Sequence, residues 1–320
     1  MVSDIKNRKK QLNNDEGKNN KEINSKEPIA PKYGPMPKHT SVRVFSRGIV
    51  IVGVLVYVWY FSKGGRESIL AKHDVQYQGR GQNVECNKDY LREIQRFTNC
   101  VPKKCGRFVN DRIITDYEAD VLQWFAKRGM AKTEVSGGVT IIDLHSGTMS
   151  YKDGFINFHT SKKNNFITPI DLKTYKSVRQ KIQAAVAQSF GIDPDHLYLT
   201  HPTFFSKLTY KDAVTLHDEY WHVHVDKYAY KSFHYTTLLY LNNYNINFKG
   251  GRFMFVNDFN EPTKNITIEP RKGRVSMFTS GAENPHFVER VTEGERFAIT
   301  ISFTCDPSKS INDPTFKDDN

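Results

Sequence analysis

Hydrophobic positions fall into three regimes along the chain. Residues 1–43 show no periodicity; Lys, Asn, Glu and Pro dominate and aromatics are nearly absent, as in a disordered tail. Residues 44–61 are apolar except at Ser46 and Arg47, a run just long enough to cross a membrane as a helix. The rest alternates between helical and extended patterns. Thr115-Asp-Tyr-Glu118 is a capping box, followed by Val121, Leu122 and Phe125 at helical spacing and a stop at Gly129. A second helix fits residues 172–189, with Val178, Ile182, Ala185 and Val186 on one stripe. Residues 131–170 are irregular, with room for short strands and a loop. After residue 197 the period becomes two. Residues 235–242 place Thr236, Leu238 and Tyr240 on one face, and short apolar runs at 249–256, 272–278 and 287–291 are bounded by Gly, Pro or Asn. Residues 296–303 alternate strictly: Phe297, Ile299, Ile301 and Phe303 against Arg296, Ala298, Thr300 and Ser302. Many short strands so punctuated predict a sandwich, barrel or jelly roll.

Composition changes the picture at the N-terminus. The 320 residues carry a net charge of +11, and residues 1–47 hold eleven Lys/Arg against five Asp/Glu, +6 of that total. The surplus lies in a tail, not in a patch interleaved with aromatics, so a nucleic-acid partner is not expected. Lys32, Lys38 and Arg43 precede the apolar run and Arg47 lies at its N-terminal end, which favours a cytosolic N-terminus. More than forty residues come before it and no small-residue cleavage site follows at Lys63-Gly-Gly-Arg66, so a signal anchor is expected over 44–62 rather than a cleaved leader. Cys86, Cys100, Cys105 and Cys305 all follow the anchor, an even number suited to disulfides in an oxidising compartment. Three pairings are open. The sequon Asn265-Ile-Thr267 falls between predicted strands, where an exposed loop would accept a glycan.

The chemistry concentrates in the extended region. In His224-Val225-Asp226 the outer residues share a strand face, and His286 opens a run that can return antiparallel. Two imidazoles and one carboxylate leave a face of an octahedral ion open, the arrangement of non-haem Fe(II) oxygenases. Arg296 heads a face of small and polar side chains and is assigned the distal carboxylate of a diacid cosubstrate. Tyr240 adds a phenolic contact to it. The rival set His217-Asp218-Glu219 lacks a following strand at the right distance, His222 is a candidate donor behind the ligands, and His145 and His159 have no acid at ligand spacing.

In order, His224-Val-Asp226, Thr236 to Asn242, Gly250-Gly251, Asn284-Pro-His286 and Gly294-Glu-Arg296 resemble the Fe(II)- and 2-oxoglutarate-dependent dioxygenases of the prolyl 4-hydroxylase type, over residues 197–305. The resemblance implies an α+β chain built on a double-stranded β-helix (jelly roll) with supporting helices, preceded by one transmembrane helix. It implies Fe(II) on His224, Asp226 and His286, 2-oxoglutarate on Arg296 with Tyr240 and Thr236, and L-ascorbate as reductant. Two departures stand out. Collagen-type members carry Lys where this chain has Arg296, and Ala298 replaces the Ser of an Arg-x-Ser pair.

The expected organisation is a cytosolic tail (1–43), an anchor (44–62), a cysteine-bearing stalk (63–108), a helical support region (109–196), the dioxygenase domain (197–305) and a C-terminal tail (306–320). The expected activity is O2-dependent hydroxylation of a side chain, Pro, Lys or another, in a secretory-pathway protein, by a single-pass type II membrane enzyme facing the lumen. The alternative is a catalytically silent anchored binding module that keeps the fold.

Overall fold

The computed structural model describes residues 40–62, 67–160, 166–258, 260 and 264–315. The expected tail up to residue 39, Lys63-Gly-Gly-Arg66 and residues 316–320 lie outside them.

Helix α1 (Thr40–Ser62) stands as its own unit. Its apolar side chains are exposed along its length, and residues Ser41–Phe61 are long and apolar enough to cross a membrane. It starts four residues before the expected anchor, because Thr40-Ser-Val-Arg43 continues the helical turn.

The second unit is a sheet-rich core with helices, consistent with the expected β-helix. A small sheet runs in the order β1 (Ser68–Ala71), β11 (Ile266–Ile268), β10 (Phe253–Phe255), β13 (His286–Val288). A large sheet runs β2 (Arg80–Val84), β3 (Cys105–Asn110), β12 (Val275–Thr279), β8 (Tyr235–Tyr240), β14 (Val291–Thr304), β7 (Tyr198–Thr209), β4 (Val139–Asp143), β5 (Thr148–Tyr151), β6 (Gly154–Asn157). Strand β9 (Phe248–Gly250) pairs with the start of β14. The strict alternation of 296–303 becomes a division between two cores. Phe297, Ile299, Ile301 and Phe303 pack with Leu122 and Phe125 of α3 (Asp116–Met130) and Val178, Ile182 and Val186 of α4 (Pro169–Phe190). Ala298 faces the other way, into a core shared by Leu238 and Tyr240 of β8 and Phe253, Phe255, Ile266 and Ile268 of the small sheet.

Both helices form where expected, with the Thr115–Glu118 capping box in place. Gly129 does not stop α3; it lies inside the helix, where a Cβ would meet Ile142 Cδ1 at 2.5 Å and Phe166 Cε2 at 2.7 Å. It is a packing glycine, and the helix runs on to Met130.

One expectation is corrected. Residues 63–108 are not a free stalk: β1, β2 and most of β3 fall within them and join both sheets, and α2 (Lys88–Ile94) lies between β2 and β3. Their runs of four to six residues are too short and too polar to announce themselves, and β1 is ordered by parallel pairing with β11, Ser68 opposite Ile266. The room for short strands in residues 131–170 is taken by β4, β5 and β6, which extend the large sheet. The cysteines pair as Cys86–Cys105 and Cys100–Cys305.

Candidate metal centre

The chain brings His224, Asp226 and His286 together by a route that differs from the expected shared strand face. His224 and His286 form an isolated antiparallel bridge, each N–H donating to the other's carbonyl at 2.9 Å. Asp226 opens a single helical turn, α5 (Asp226–Ala229), so the chain bends after Val225 instead of continuing extended. The donor atoms of the three residues nevertheless lie within 4.8 Å of one another. Asp226 Oδ1 sits 3.5 Å from His286 Nε2 and 3.7 Å from His224 Nε2.

Each ring is oriented through its other nitrogen. His224 Nδ1 is 3.0 Å from the carbonyl of His222, and His286 Nδ1 is 2.9 Å from that of Asn284. An Nδ1–H donated to a carbonyl leaves Nε2 as the ligand lone pair. The two rings are unequal in setting. The His224 side chain is 47% exposed and that of His286 4%, the latter packed between Phe253 and Phe278. Burial, then the neighbouring His286, holds His224 below the ordinary histidine range, which favours the neutral ligand form. Burial alone would raise the carboxyl of Asp226, but His286, Thr236 and His224 together carry it below the usual range.

Thr236 is placed differently from expectation. Its hydroxyl donates to Asp226 Oδ2 at 2.7 Å and meets Ser280 Oγ at 2.8 Å, so it orients the carboxylate rather than a cosubstrate. The rival set dissolves: the Asp218 carboxylate accepts from Val139, Val214 and Thr215 backbone N–H groups, and His217 is exposed. The His222 side chain is turned to Glu219, and only its carbonyl serves the site. His145 bonds Tyr175 and the Asn312 carbonyl.

Arg296 is 1% exposed, and its Nε and Nη2 have no hydrogen-bond partner. Asn242 fixes the backbone on either side, accepting from Phe297 N at 3.0 Å and donating to the Glu295 carbonyl at 2.7 Å. Gly251, at φ +64°, leaves the space the arginine stem occupies, since a Cβ there would lie 3.0 Å from Arg296 Cδ. The guanidinium carbon is 5.3 Å from the Tyr240 ring centre. Burial lowers the Arg296 pKa, and Tyr240 and Tyr220 draw it back. Tyr220, absent from the sequence-level site, is held by the Val291 N–H at 2.8 Å; an isolated Tyr in a loop carries no pattern that marks it. An uncompensated buried guanidinium is costly, and a site of this kind accepts a carboxylate in two parallel hydrogen bonds.

Asn265 is corrected. It is 8% exposed and leads into β11, where Thr267 is fully buried and donates to Glu67 Oε1 at 2.6 Å. The folded chain does not present this sequon as an open loop.

The chain resembles proteins of a known family. A family model described as the 2OG-Fe(II) oxygenase superfamily matches residues 210–304. The chain is similar to the human 2-oxoglutarate and iron-dependent oxygenase domain-containing protein 3, at 45% identity over 84% of each chain, and to its Xenopus tropicalis counterpart, at 46% over 78% of each. Mouse prolyl 3-hydroxylase 1 is 31% identical over 46% of this chain and 21% of its own length. Among solved structures, a Trichoplax adhaerens prolyl hydroxylase, in complex with a hypoxia inducible factor oxygen degradation domain peptide fragment, aligns over 68% of this chain and 94% of its own, with 16% identity and a TM-score of 0.43. With close to half of its residues shared across most of the length of the first two relatives, the chain belongs to the 2OG-Fe(II) oxygenases and is a dioxygenase enzyme, using Fe(II) and 2-oxoglutarate as that family does.

Proposed function

We propose that His224, Asp226 and His286 hold Fe(II), and that Arg296, with Tyr240 beside it, grips the distal carboxylate of 2-oxoglutarate. The observation that carries this reading is the buried Arg296 fork with two unpartnered nitrogens, in the core that also receives His286, Phe253 and Tyr240. When bound, Fe(II) with 2-oxoglutarate and O2 supplies an oxidant that inserts oxygen into a C–H bond while succinate and CO2 leave. The chain's own tasks are binding and orientation. Asn242 and Gly251 set the reach of Arg296, Thr236 holds the carboxylate rotamer of Asp226, and the aromatic packing around His286 keeps water from that side of the site.

The catalytic unit in this reading spans residues 67–315 and not 197–305 alone, because strands from the N-terminal third complete both sheets. Helix α1 anchors it in a membrane with the enzyme on the lumenal side, supported by the charge flanking the helix and by the two disulfides. L-ascorbate is the reductant, and the substrate is a side chain of a secretory-pathway protein.

The purified chain supplied with Fe(II) is expected to convert 2-oxoglutarate to succinate, with His224→Ala at background. Succinate formation equal in the two proteins would overturn the ligand assignment.

A further inference from the structure

Arg107 lies on β3, outside the residues matched by the family model. It is 2% exposed, and although the Glu283 carboxylate acts on its charge, none of its hydrogen bonds among the described residues goes to a carboxylate. Its fork is spent instead on neutral acceptors. Nε donates to Asn284 Oδ1 at 2.7 Å, Nη1 to Asn257 Oδ1 at 2.7 Å and Nη2 to the Glu283 carbonyl at 3.2 Å, while the guanidinium carbon sits 4.3 Å above the Phe255 ring centre. A buried cation satisfied only by amides is a poor choice for stability, since an apolar side chain of the same volume avoids the desolvation. What the fork does achieve is geometric. Its acceptors lie on both flanks of His286: Asn284 two residues before it, and Asn257 just beyond Phe255, the residue opposite His286 in the β10–β13 register.

The chain of contacts to the ring is short. Asn284 is held at its side-chain oxygen by Arg107 and at its nitrogen by the Thr279 carbonyl and hydroxyl, at 2.8 and 2.9 Å. Its main-chain carbonyl faces His286 Nδ1 at 2.9 Å. The Pro285 carbonyl between them accepts from Val256 N at 2.8 Å, which closes the loop onto the segment that leads from β10 to Asn257.

We propose that Arg107 is a positioning residue for the metal centre: it fixes the Asn284 peptide and the end of β10 so that His286 is held with Nε2 directed at Asp226. This rests on the reading of His224, Asp226 and His286 as metal ligands. His224 has no such lock, since its orienting carbonyl belongs to the half-exposed residues beside it. The contribution comes from just beyond the Cys86–Cys105 disulfide, because β3 begins at Cys105. Lys in place of Arg107 keeps the charge but offers a point donor where three directions are needed.

The test is a cobalt(II) titration of the whole 320-residue chain in detergent, followed by visible absorption, with thermal unfolding of the metal-free proteins measured in parallel. Arg107→Lys, Arg107→Gln and Asn284→Ala are compared with wild type. Each variant that folds is expected to bind Co(II) about 10–100-fold more weakly, with the Arg107→Lys/Asn284→Ala double variant no weaker than the worse single one. Wild-type affinity in any folded Arg107 variant overturns the proposal, and so do additive losses in the double variant. If Arg107→Gln does not fold, Arg107→Lys decides; if neither folds, Asn284→Ala decides, and wild-type affinity there overturns the proposal. His286→Ala separates the two readings. Undiminished Co(II) affinity in that variant overturns the ligand assignment, and this proposal with it, whereas a loss confined to His286→Ala overturns only the role of Arg107.

Discussion

At the scale of residues, Arg296 makes the sharpest demand. Its two unpartnered nitrogens await an anion, so Arg296→Ala is expected to raise the 2-oxoglutarate concentration needed for half-maximal turnover at least tenfold while leaving Co(II) affinity within about twofold of wild type. One charge-assisted hydrogen bond lost from a buried site is worth about 1.5–3 kcal/mol, enough for that shift. Equal loss of both affinities would show that Arg296 serves the fold instead. Of the four residues singled out by spacing, His224, Asp226 and His286 come together and Arg296 lies buried beside Tyr240; type and order suffice to flag them. Their supports were not legible. Asp226 leaves the strand for a helical turn, Thr236 turns to Asp226 rather than to Arg296, and Tyr220, Ser280 and Arg107 act through tertiary contacts that no local pattern encodes.

At the scale of elements, the turn that carries Asp226 is braced by α2. The buried Lys227 Nζ lies 2.6 Å from both Glu93 Oε1 and the Lys231 carbonyl, and His234 Nε2 is 3.4 Å from the same Glu93 oxygen. The hydrogen bond with His234, and after it Lys227, lowers the Glu93 carboxyl from near 4.5 to about 2. A depressed acid contributes stability that is complete above its unfolded pKa and lost as pH falls through the folded one. The brace therefore weakens between pH 4.5 and 2. Glu93→Gln is expected to be less stable at neutral pH and to show a shallower stability decline over that interval, read by circular dichroism under denaturant. An unchanged acid limb would mean that the pair contributes nothing. Of the elements, α3, α4, β8 and β14 were legible because each carries a helical or alternating apolar pattern. Strands β1 to β3 were not, since they lack such a pattern and owe their order to partners elsewhere in the chain.

At the scale of the whole molecule, Cys100–Cys305 ties the segment before β3 to the residue that follows β14, across 205 positions. A loop of that length restricts the unfolded chain by about 5 kcal/mol in the entropic account. Cys100→Ser with Cys305→Ser is expected to lower stability by several kcal/mol, measured by urea unfolding, and by about 2 kcal/mol more than loss of the Cys86 and Cys105 pair, whose loop spans 19 positions. Equal effects of the two would point to native-state strain rather than loop entropy. The sheet-rich core was legible from punctuation and alternation, but its extent was not, because the completing strands arrive from far upstream. The parallel pairing of β1 with β11 also has a kinetic consequence. Contacts closed over such separations are slow to form, so the small sheet that carries both β1 and His286 is expected to complete its pairing slowly. In the proposed reading, Fe(II) binding is expected to follow the assembly of that sheet.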